Sequence, residues 1–558
     1  MLIFQSRIII IFLILIFLIV SAFYFDDVLL NSGTIPGFGL DPFFCMFVIH
    51  TNAIKLLAGN WTEIINLPFF FPKQHTLAFS DPLIVHSLVY SLLYQMNLPK
   101  DLCIRIMFFV FFLLNWFCCS LFLHSFKKNL FVSVLVGWLF AFSLFFQVQS
   151  AHYQNLIVFP IFLSILPFFK PTLARMNIFL LPFLGTLMLL FSNLYFFVYG
   201  LILFFSLGIF FLLYRKKRHL LGKSKYAYFG LLSSLIVAIP FIIFYSSIKV
   251  DYPEIIGVRN FEEKVSFSAR PWDYFKVLYP PMIYFDLKKY FVSYEFERSN
   301  FSGLMGMLIF TGLTLPYFRI EKFKRCKPQV VSIFLFAIGV FLASGPLILT
   351  PLYKFVSKIV PGLSEIRAVG RAGLIINIAY VISIFIFLTR LKTKTSISFL
   401  LMFLVSVLLI CERFTEDFPT RYIQYHLPLN KEARQLVEGN RISESDDDSI
   451  LVITNTIEDF IRIPFYLSIE TGIKAVNGYS GYNPIEWNNT QLFFEKNTQC
   501  KLIVEKNKFL LDNSTYILIE KQSPIFKLCL KDFKDFSQSD NSMNFALLLN
   551  RSRTKYVP

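Results

Sequence analysis

The chain has 558 residues, of which 56% are hydrophobic, 18% aromatic and 16% charged, and its mean hydropathy is +0.60. A soluble protein of this length does not need so much apolar surface, so the composition indicates a polytopic membrane protein. A net charge of +17 would suggest nucleic acid in a soluble protein. Here the basic residues collect in short loops between apolar runs, which indicates membrane lipids as partners and no nucleic acid.

The first apolar run, 8–25, is long enough to cross the hydrocarbon layer. Arg7 precedes it and Asp26 and Asp27 follow it, so the charge pattern predicts a cytoplasmic amino terminus. No small-residue cleavage site follows the run, which favours a retained helix over a signal peptide. We expect ten further spans: 103–124, 129–149, 155–169, 177–192, 195–213, 227–245, 301–318, 329–348, 373–390 and 396–412. With eleven spans the two chain ends lie on opposite sides, and the clusters of lysine and arginine face the cytoplasm.

Four sizeable pieces then face the outer side: 26–102, 246–300, 349–372 and everything after about residue 413. The first loop contains two apolar helical stretches, 43–58 and 82–97. Both are too short and too polar to span comfortably, so we predict amphipathic helices lying on the membrane surface.

The tail changes character after residue 412. Strand-like runs at 449–454, 501–505 and 514–520 alternate with charged helical stretches such as 429–438. The predicted fold class is therefore an α-helical polytopic membrane protein with a soluble carboxy-terminal α/β domain, divided as 1–412 and 413–558.

The remaining polar features of the tail have ordinary interpretations. The acidic run Asp446–Asp448 is expected to be a solvated turn, because adjacent residues in an extended turn do not converge on one ion. No cysteine or histidine spacing suggests zinc. Cys500 and Cys529 could pair if the tail is outside the cytoplasm.

Two aspartates in the first outer loop, Asp41 and Asp81, are each followed by proline and an apolar helical stretch. Capping of a helix by the aspartate is a complete structural explanation of this arrangement. A catalytic role is the alternative, since an outer loop is where a membrane enzyme would hold its reacting groups.

Several motifs, taken in chain order, make the chain resemble large bacterial integral membrane proteins of the GT-C glycosyltransferase superfamily. The likeness covers nearly the whole chain. Its motifs are the blocks 67–72 (LPFFFP), 76–81 (TLAFSD), 141–143 (AFS) with 152–154 (HYQ), 268–274 (SARPWDY), 360–367 (VPGLSEIR) and 476–482 (VNGYSGY).

This resemblance implies a function and a first set of site residues. GT-C enzymes move a sugar from a polyprenyl-phosphate carrier, or a related lipid-linked donor, to an acceptor on the outer side of the membrane. Their first outer loop carries an essential acidic residue, which by position would be Asp41, with Asp81 as the second candidate. Such a carboxylate can accept the proton that the acceptor hydroxyl loses as it attacks the anomeric carbon.

The leaving lipid phosphate needs positive charge, and arginine can bind two phosphate oxygens with its planar fork. Arg367 and Arg371 lie in a short outer loop directly before a span, where positive charge runs against the topology rule. Snorkelling of both arginines to the lipid headgroups is the alternative. Arg259 and Arg270 are second candidates, which the pair Glu262 and Glu263 could hold in place.

Contacts to the acceptor or the carrier are expected from two more places. His152 and Gln154 lie at an outer helix end, where a hydrogen bond to the helix terminus is the alternative explanation. Asn477, Tyr479 and Tyr482 form either a tight turn or, together with Trp487, an aromatic platform that covers the sugar or the carrier.

The leading hypothesis is an enzyme of the inner (cytoplasmic) membrane that transfers a sugar to a cell-envelope glycan, lipid or protein. We expect no cofactor and independence from divalent metal, because the first loop offers no DxD motif. A transporter or flippase of lipid-linked sugars would need ionisable residues inside the spans, and these are nearly lacking. A non-catalytic envelope assembly protein that uses its tail as a binding module is the third hypothesis.

Overall fold

The computed structural model describes most of the chain from residue 32 onward: 32–170, 172–213, 221–251, 261–276, 303–314, 328–360, 362–391, 396–414, 422–425, 427–440, 449–454, 456–477, 516–520, 536–541 and 545–550, with single residues at 15, 18, 19, 21, 281, 283, 442, 507, 510, 511, 514, 521 and 523. Several predicted features lie outside the described residues: the strand 501–505, Asp446–Asp448, Cys500, Cys529 and, except for residues 15, 18, 19 and 21, the span 8–25.

The helices are α1 Asp41–Leu57, α2 Ile84–Gln95, α3 Lys100–His124, α4 Leu130–Ala141, α5 Leu144–Val148, α6 Phe159–Phe169, α7 Arg175–Leu190, α8 Leu194–Leu213, α9 Leu221–Asp251, α10 Phe261–Ser266, α11 Leu304–Thr314, α12 Pro328–Ile348, α13 Thr350–Ile359, α14 Gly373–Arg390, α15 Ser396–Cys411, α16 Pro428–Gly439 and α17 Ile457–Thr471. The strands are β1 Thr34–Pro36, β2 Tyr422–Gln424, β3 Ser449–Ile453, β4 Lys474–Ala475, β5 Tyr516–Glu520, β6 Phe536–Asn541 and β7 Phe545–Asn550.

Apolar helices dominate the described part of the chain, and each predicted span from 103–124 to 396–412 coincides with one. Among the described residues, six stretches are long and apolar enough to cross a membrane, judged by length and composition: Lys100–His124, Leu130–Ala151, Leu194–Phe211, Lys225–Tyr245, Pro328–Ile348 and Val369–Arg390. Four apolar helices are shorter: Tyr153–Phe169, Arg175–Leu190, Leu304–Thr314 and Leu400–Cys411. The predicted fold class, a multi-pass α-helical membrane protein with a small carboxy-terminal sheet, is confirmed.

The chain divides into two compact units. The first comprises residues 1–30, 106–240 and 258–421, and the second comprises 31–105, 241–257 and 422–558. The second unit thus contains most of the first predicted outer loop and most of the predicted tail.

Within the first unit, α12 and α14 pack closely because Gly339 has no side chain. A Cβ atom at Gly339 would lie 2.6 Å from Ile376 Cγ1 and 3.0 Å from the Ile376 backbone nitrogen. Beside this contact, the Ser332 hydroxyl donates to the Ala379 carbonyl at 2.6 Å. Small residues and a short hydrogen bond are the usual means by which two membrane helices approach each other.

We expect Gly339→Val to destabilise the protein by about 2 kcal/mol, because overpacking a tight helix contact forces the backbones apart. The measurement is the unfolding midpoint of the detergent-solubilised protein. Gly312→Val is the matched control, since Gly312 also lies in an apolar helix but a Cβ there meets no atom within 4 Å. Equal losses in both variants would contradict the packing explanation.

In the described residues of the second unit, five strands form a sheet with the order β4-β3-β5-β7-β6. β3 pairs in parallel with β4 and β5, while β7 pairs antiparallel with β5 and β6. Predicted strands 449–454 and 514–520 correspond to β3 and β5, and the predicted helix 429–438 corresponds to α16. Sequence analysis missed β4, β6, β7 and α17.

The first loop contributes directly to this unit. β1 pairs antiparallel with β2. The Ala475 backbone bonds two residues of the loop: its carbonyl accepts from Phe71 N–H at 3.2 Å, and its N–H donates to Pro68 O at 3.0 Å. The Phe47 ring of α1 stacks on the Phe465 ring of α17 at 4.7 Å. Most residues of α1 are buried, so the expectation that this helix lies on the membrane surface is wrong. Protein side chains cover most of its apolar residues, and Ile54 and Leu57 stay partly exposed.

A polar network centred on Glu470 holds the second unit together. The Glu470 carboxylate accepts from the Tyr425 hydroxyl at 2.6 Å and forms ion pairs with Lys100 at 3.1 Å and Arg434 at 2.8 Å. Burial alone would raise the Glu470 pKa, but the Tyr425 hydrogen bond and the two cations lower it below its usual range. The network therefore links the first loop to the tail through an ionised carboxylate.

His50 lies near this network, and burial, followed by the charge of Lys100, lowers its pKa to about 3. The unfolded chain therefore takes up a proton on His50 at higher pH than the folded protein does. The contribution of His50 to the free energy of unfolding is complete above the unfolded pKa of about 6.5 and declines as the pH falls toward 3. The neutral ring contacts the Tyr90 hydroxyl, with 3.0 Å between Nδ1 and the oxygen.

Between pH 7 and pH 5 we expect His50 to account for a loss of about 2 kcal/mol in the free energy of unfolding. His50→Gln cannot titrate, so its unfolding free energy should fall less over this range; denaturant titrations at the two pH values measure the difference. Tyr90→Phe keeps the buried imidazole and should keep the pH dependence. An unchanged pH dependence in His50→Gln would assign the acid sensitivity to other groups.

Candidate functional site

Residues 362–372, which we call the arginine segment, contain the two arginines predicted to bind phosphate. The segment begins at Gly362, whose φ of +82° favours glycine, and a Cβ there would lie 3.0 Å from Val198 Cγ2. Two 3-10 turns follow, Leu363–Glu365 and Val369–Ala372, and the second leads directly into α14. The backbone is therefore held tightly where the two arginines project.

Arg371 is buried, with 4% of its surface exposed, and its guanidinium carbon lies 4.9 Å from the centre of the Tyr195 ring. Tyr199 of the same helix, α8, donates its hydroxyl to the Val369 carbonyl at 3.4 Å. A guanidinium keeps its charge at all physiological pH values. A snorkelling arginine would extend away from the protein, so burial against α8 argues against that alternative for Arg371.

Arg367 is half-buried. Its Nε lies 3.8 Å from the Glu263 carboxylate, and its guanidinium carbon is 5.2 Å from the centre of the Phe267 ring. Sequence analysis expected Glu262 and Glu263 to hold Arg259 and Arg270. The structure places Glu263 beside Arg367 and shows Glu262 exposed on α10. Pairing with Arg259 stays a prediction, because Arg259 lies outside the described residues.

Backbone contacts explain why residues 261–276 meet the arginine segment. The Gly370 N–H donates to Phe267 O at 3.1 Å, and the Ala269 N–H donates to Ala343 O at 2.8 Å. These contacts place Lys264 against the arginine segment. Lys264 is buried, and its ammonium donates to the Ser364 carbonyl. Sequence analysis missed Lys264 because its position in a Glu-Glu-Lys run is typical of a solvated helix. Three cations therefore lie on or against one short segment.

Arg270 has a different environment from Arg367 and Arg371. Its backbone N–H donates to the buried Asp273 carboxylate at 2.8 Å, and its guanidinium carbon lies 5.8 Å from the Trp272 ring centre. The side chain is half-buried. Arg270 is therefore fixed in a local turn, with an aromatic partner of its own.

His152 and Gln154 lie in the turn between α5 and α6, where His152 is buried and Gln154 half-buried. Their neighbour Asn155 belongs to a chain of buried amides that sequence analysis missed. Asn155 donates to Gln149 Oε1 at 2.6 Å, and Asn193 donates to Asn155 Oδ1 at 2.8 Å. The sequence does contain amide residues at the ends of apolar runs. Because polar groups buried among membrane helices need partners, these positions could have predicted the chain of amides.

Asp41, the first candidate base, is half-buried in the second unit. It is the first residue of α1, so Leu40 occupies the N-cap position that the sequence assigned to Asp41, and Pro42 follows in the first turn. A carboxylate in the first turn still interacts favourably with the amino end of a helix. Gly39, with φ of +73°, allows the chain to turn immediately before it.

Asp81, the second candidate, does not cap a helix, and that expectation is wrong. Its helix, α2, begins three residues later at Ile84, because Leu83 adopts φ of +51° and interrupts the backbone. The adjacent Pro82 carbonyl accepts from Asn52 at 3.0 Å. Asn52 lies three helical turns, about 16 Å, along α1 from Asp41. This placement favours the two aspartates as alternative candidates rather than as two groups acting on one atom.

Asn477 is buried and its amide is used inside the second unit. Its Oδ1 accepts from Val452 N–H at 2.7 Å, and its Nδ2 donates to the Val452 carbonyl at 2.9 Å and to the Phe460 carbonyl at 3.2 Å. These bonds give Asn477 a structural role in fixing the sheet. Tyr479, Tyr482 and Trp487 lie outside the described residues.

A metal site is not evident in the part of the chain that the structure describes, where no group of three or more His, Cys, Asp or Glu side chains could hold an ion. Metal independence stays a prediction. On or against the arginine segment, Lys264, Arg367 and Arg371 outnumber the carboxylates Glu263 and Glu365, and this excess of positive charge suits an anion.

Two solved structures are similar to most of the chain. The cryo-EM structure of the arabinofuranosyltransferase AftD from Mycobacteria is similar with a TM-score of 0.51 and 12% identity, covering 96% of this chain and 40% of that one. ArnT from Cupriavidus metallidurans bound to undecaprenyl phosphate gives a TM-score of 0.49 with 12% identity, covering 96% and 98%.

The chain thus spans about 40% of the length of the AftD chain that it matches. No family model and no curated protein sequence matches it. At this identity the likeness to AftD concerns the fold, and it agrees with the resemblance carried by the sequence motifs. The chain therefore shares its fold with that arabinofuranosyltransferase.

Proposed function

We propose that the chain is an integral membrane glycosyltransferase, which moves a hexosyl or pentosyl group from a polyprenyl-phosphate-linked donor to a cell-envelope acceptor. The observation that carries the proposal is the fold shared with an arabinofuranosyltransferase over 96% of the chain. The apolar helices support a membrane location, and we propose the outer face of the inner membrane as the side of transfer because of the distribution of basic loops.

The arginine segment supports the donor side of this reaction. As the bond between the anomeric carbon and the phosphate oxygen breaks, negative charge grows on the polyprenyl phosphate that leaves. Arg371 and Arg367 offer guanidinium groups that can donate to two phosphate oxygens each, and Lys264 adds a third positive charge. We assign Arg371 the main role, since its burial limits competition from water.

The acceptor side requires a base. We propose that Asp41 takes the hydroxyl proton of the acceptor as the oxygen forms its bond to the anomeric carbon, with Asp81 as the alternative base. The electron pair of the broken bond leaves with the polyprenyl phosphate, so charge and atoms balance without a further reactant. A base within reach of the hydroxyl lowers the barrier to its attack.

The test is a transfer assay with the full-length protein in liposomes. A set of polyprenyl-phosphate sugars, labelled in the sugar, is mixed with an envelope extract as acceptor, and both labelled glycan and free polyprenyl phosphate are measured. Transfer requires the two products to appear in equal amounts. The proposal would be overturned, in favour of an assembly protein, if no donor yields either product and no donor binds more tightly than free phosphate.

A further inference from the structure

Helix α13 follows the apolar helix α12 with only Leu349 between them, and its orientation is fixed by packing. Tyr353 is buried against Gly345, where a Cβ atom would lie 2.6 Å from the tyrosine ring. The Thr350 hydroxyl donates to the Pro346 carbonyl at 2.8 Å. One face of α13 is therefore held against the end of α12. This packing determines which residues of α13 lie on its opposite face.

That other face is apolar and exposed. Leu352, Phe355 and Ile359 are 51%, 61% and 62% exposed, and their spacing of three and four residues places them on one side of the helix. The exposed apolar surface continues without a break into the end of α12, through Leu347, Ile348 and Leu349. A water-facing helix would not carry such a stripe at the end of a membrane-crossing helix.

Basic and aromatic residues border this stripe. Lys354 and Lys358 are exposed and each precedes a residue of the apolar face by one position, about 100° around the helix. The Lys354 ammonium lies 4.4 Å from the centre of the Phe261 ring. Lysines at the edge of an apolar face can keep their stems in the bilayer and their charges at the headgroups.

A second aromatic element lies at the same end of α12. Trp272 and Phe275 are about half exposed, and their turn is tied to α12 by the hydrogen bond between Tyr274 and Ser344, 2.8 Å between the two oxygens. Tryptophan at the end of a membrane helix is typical of the boundary between hydrocarbon and headgroups. This end of α12 therefore has the composition of a membrane interface.

We propose that α13 is an anionic-lipid binding helix, which inserts Leu352, Phe355 and Ile359 into the bilayer surface while Lys354 and Lys358 bind acidic phospholipid headgroups. Three observations select lipid as the occupant: the continuity with an apolar membrane helix, the lysines at the stripe's edge and the aromatic turn beside it. The inference does not depend on the sugar-transfer proposal, and an inactive protein would bind lipid in the same way.

The test is hydrogen exchange of the 350–360 backbone amides in the full-length protein, held as single copies in nanodiscs. One set of discs contains phosphatidylcholine only, and the other contains one quarter phosphatidylglycerol. We expect on the order of thirtyfold slower exchange with the anionic lipid, because each lysine near a charged surface contributes about a factor of five. Lys354→Gln with Lys358→Gln should abolish this difference.

Two further variants separate local binding from general charge. Lys127→Gln with Lys128→Gln removes the same charge from another exposed site and should leave the α13 difference intact. Phe355→Ser should speed exchange in both kinds of disc. The proposal would be overturned if the 350–360 amides exchange equally fast in the two lipids, or if both lysine pairs change that exchange equally. Protection that appears only when two copies share a disc would also overturn it and would assign the apolar face to a second copy of the chain.

Discussion

Asp41→Asn should lower the rate of sugar transfer by at least about a hundredfold while the protein still folds and binds its donor. Asparagine matches aspartate in shape but cannot accept the acceptor's proton, and a positioned base contributes a factor of about 10² to 10⁴. The measurement is kcat for labelled transfer in liposomes, with donor affinity determined separately from the stabilisation that added donor confers.

The structural cost of this substitution should be small. Asp41 lies in the first turn of α1, where loss of a negative charge costs about 0.3–1 kcal/mol. Asp81→Asn is the matched control, since it changes the same functional group in the same predicted loop. A wild-type rate in Asp41→Asn together with a large loss in Asp81→Asn would transfer the base role to Asp81. Wild-type rates in both would favour the assembly-protein hypothesis.

Local sequence patterns predicted the features that depend on local physics. Apolar run length located the helices from 103–124 onward, and strand-like runs located β3 and β5. The helix α6 starts at Phe159, later than the predicted residue 155, because Asn115 of another helix accepts from the Phe159 N–H at 2.7 Å and caps it. Periodicity within one segment cannot reveal a cap supplied by a distant one.

The second unit depends on pairing between segments far apart in the chain. β1 and β2 lie at opposite ends of the helical region in the sequence, yet they pair with Thr34 opposite Gln424. Each strand has only three residues, which is too short for a hydrophobic period to predict the pairing. For the same reason α1 was misassigned to the membrane surface. Its stretch is too short and too polar to span a membrane, but Phe465 of α17 packs on its rings Phe44 and Phe47.

The candidate site shows a similar division. The arginines were identified because positive charge in a predicted outer loop runs against the topology rule. Lys264 carries no such signal, since only the docking of α10 against the arginine segment buries it. Charge and position predict which residues are unusual, whereas their partners, such as Glu263 beside Arg367, follow from tertiary contacts.

Arg371→Gln should weaken donor binding by on the order of a hundredfold, because charge-assisted hydrogen bonds to phosphate are worth about 1.5–3 kcal/mol and a guanidinium can form two. The effect should appear in KM and in inhibition by free polyprenyl phosphate. Arg371→Lys retains the charge without the planar fork and should lie between the variant and the wild type.

Arg371 also packs on Tyr195, so the variant could lose affinity through a loss of structure instead. Tyr195→Leu separates the two explanations, because it removes the ring beneath the guanidinium and keeps the charge. If Arg371 binds phosphate, Tyr195→Leu should lower the melting temperature more than the affinity, and Arg371→Gln should do the reverse. Unchanged inhibition by polyprenyl phosphate in a folded Arg371→Gln protein would reduce the arginine to a structural residue and leave Arg367 and Lys264 as the phosphate ligands.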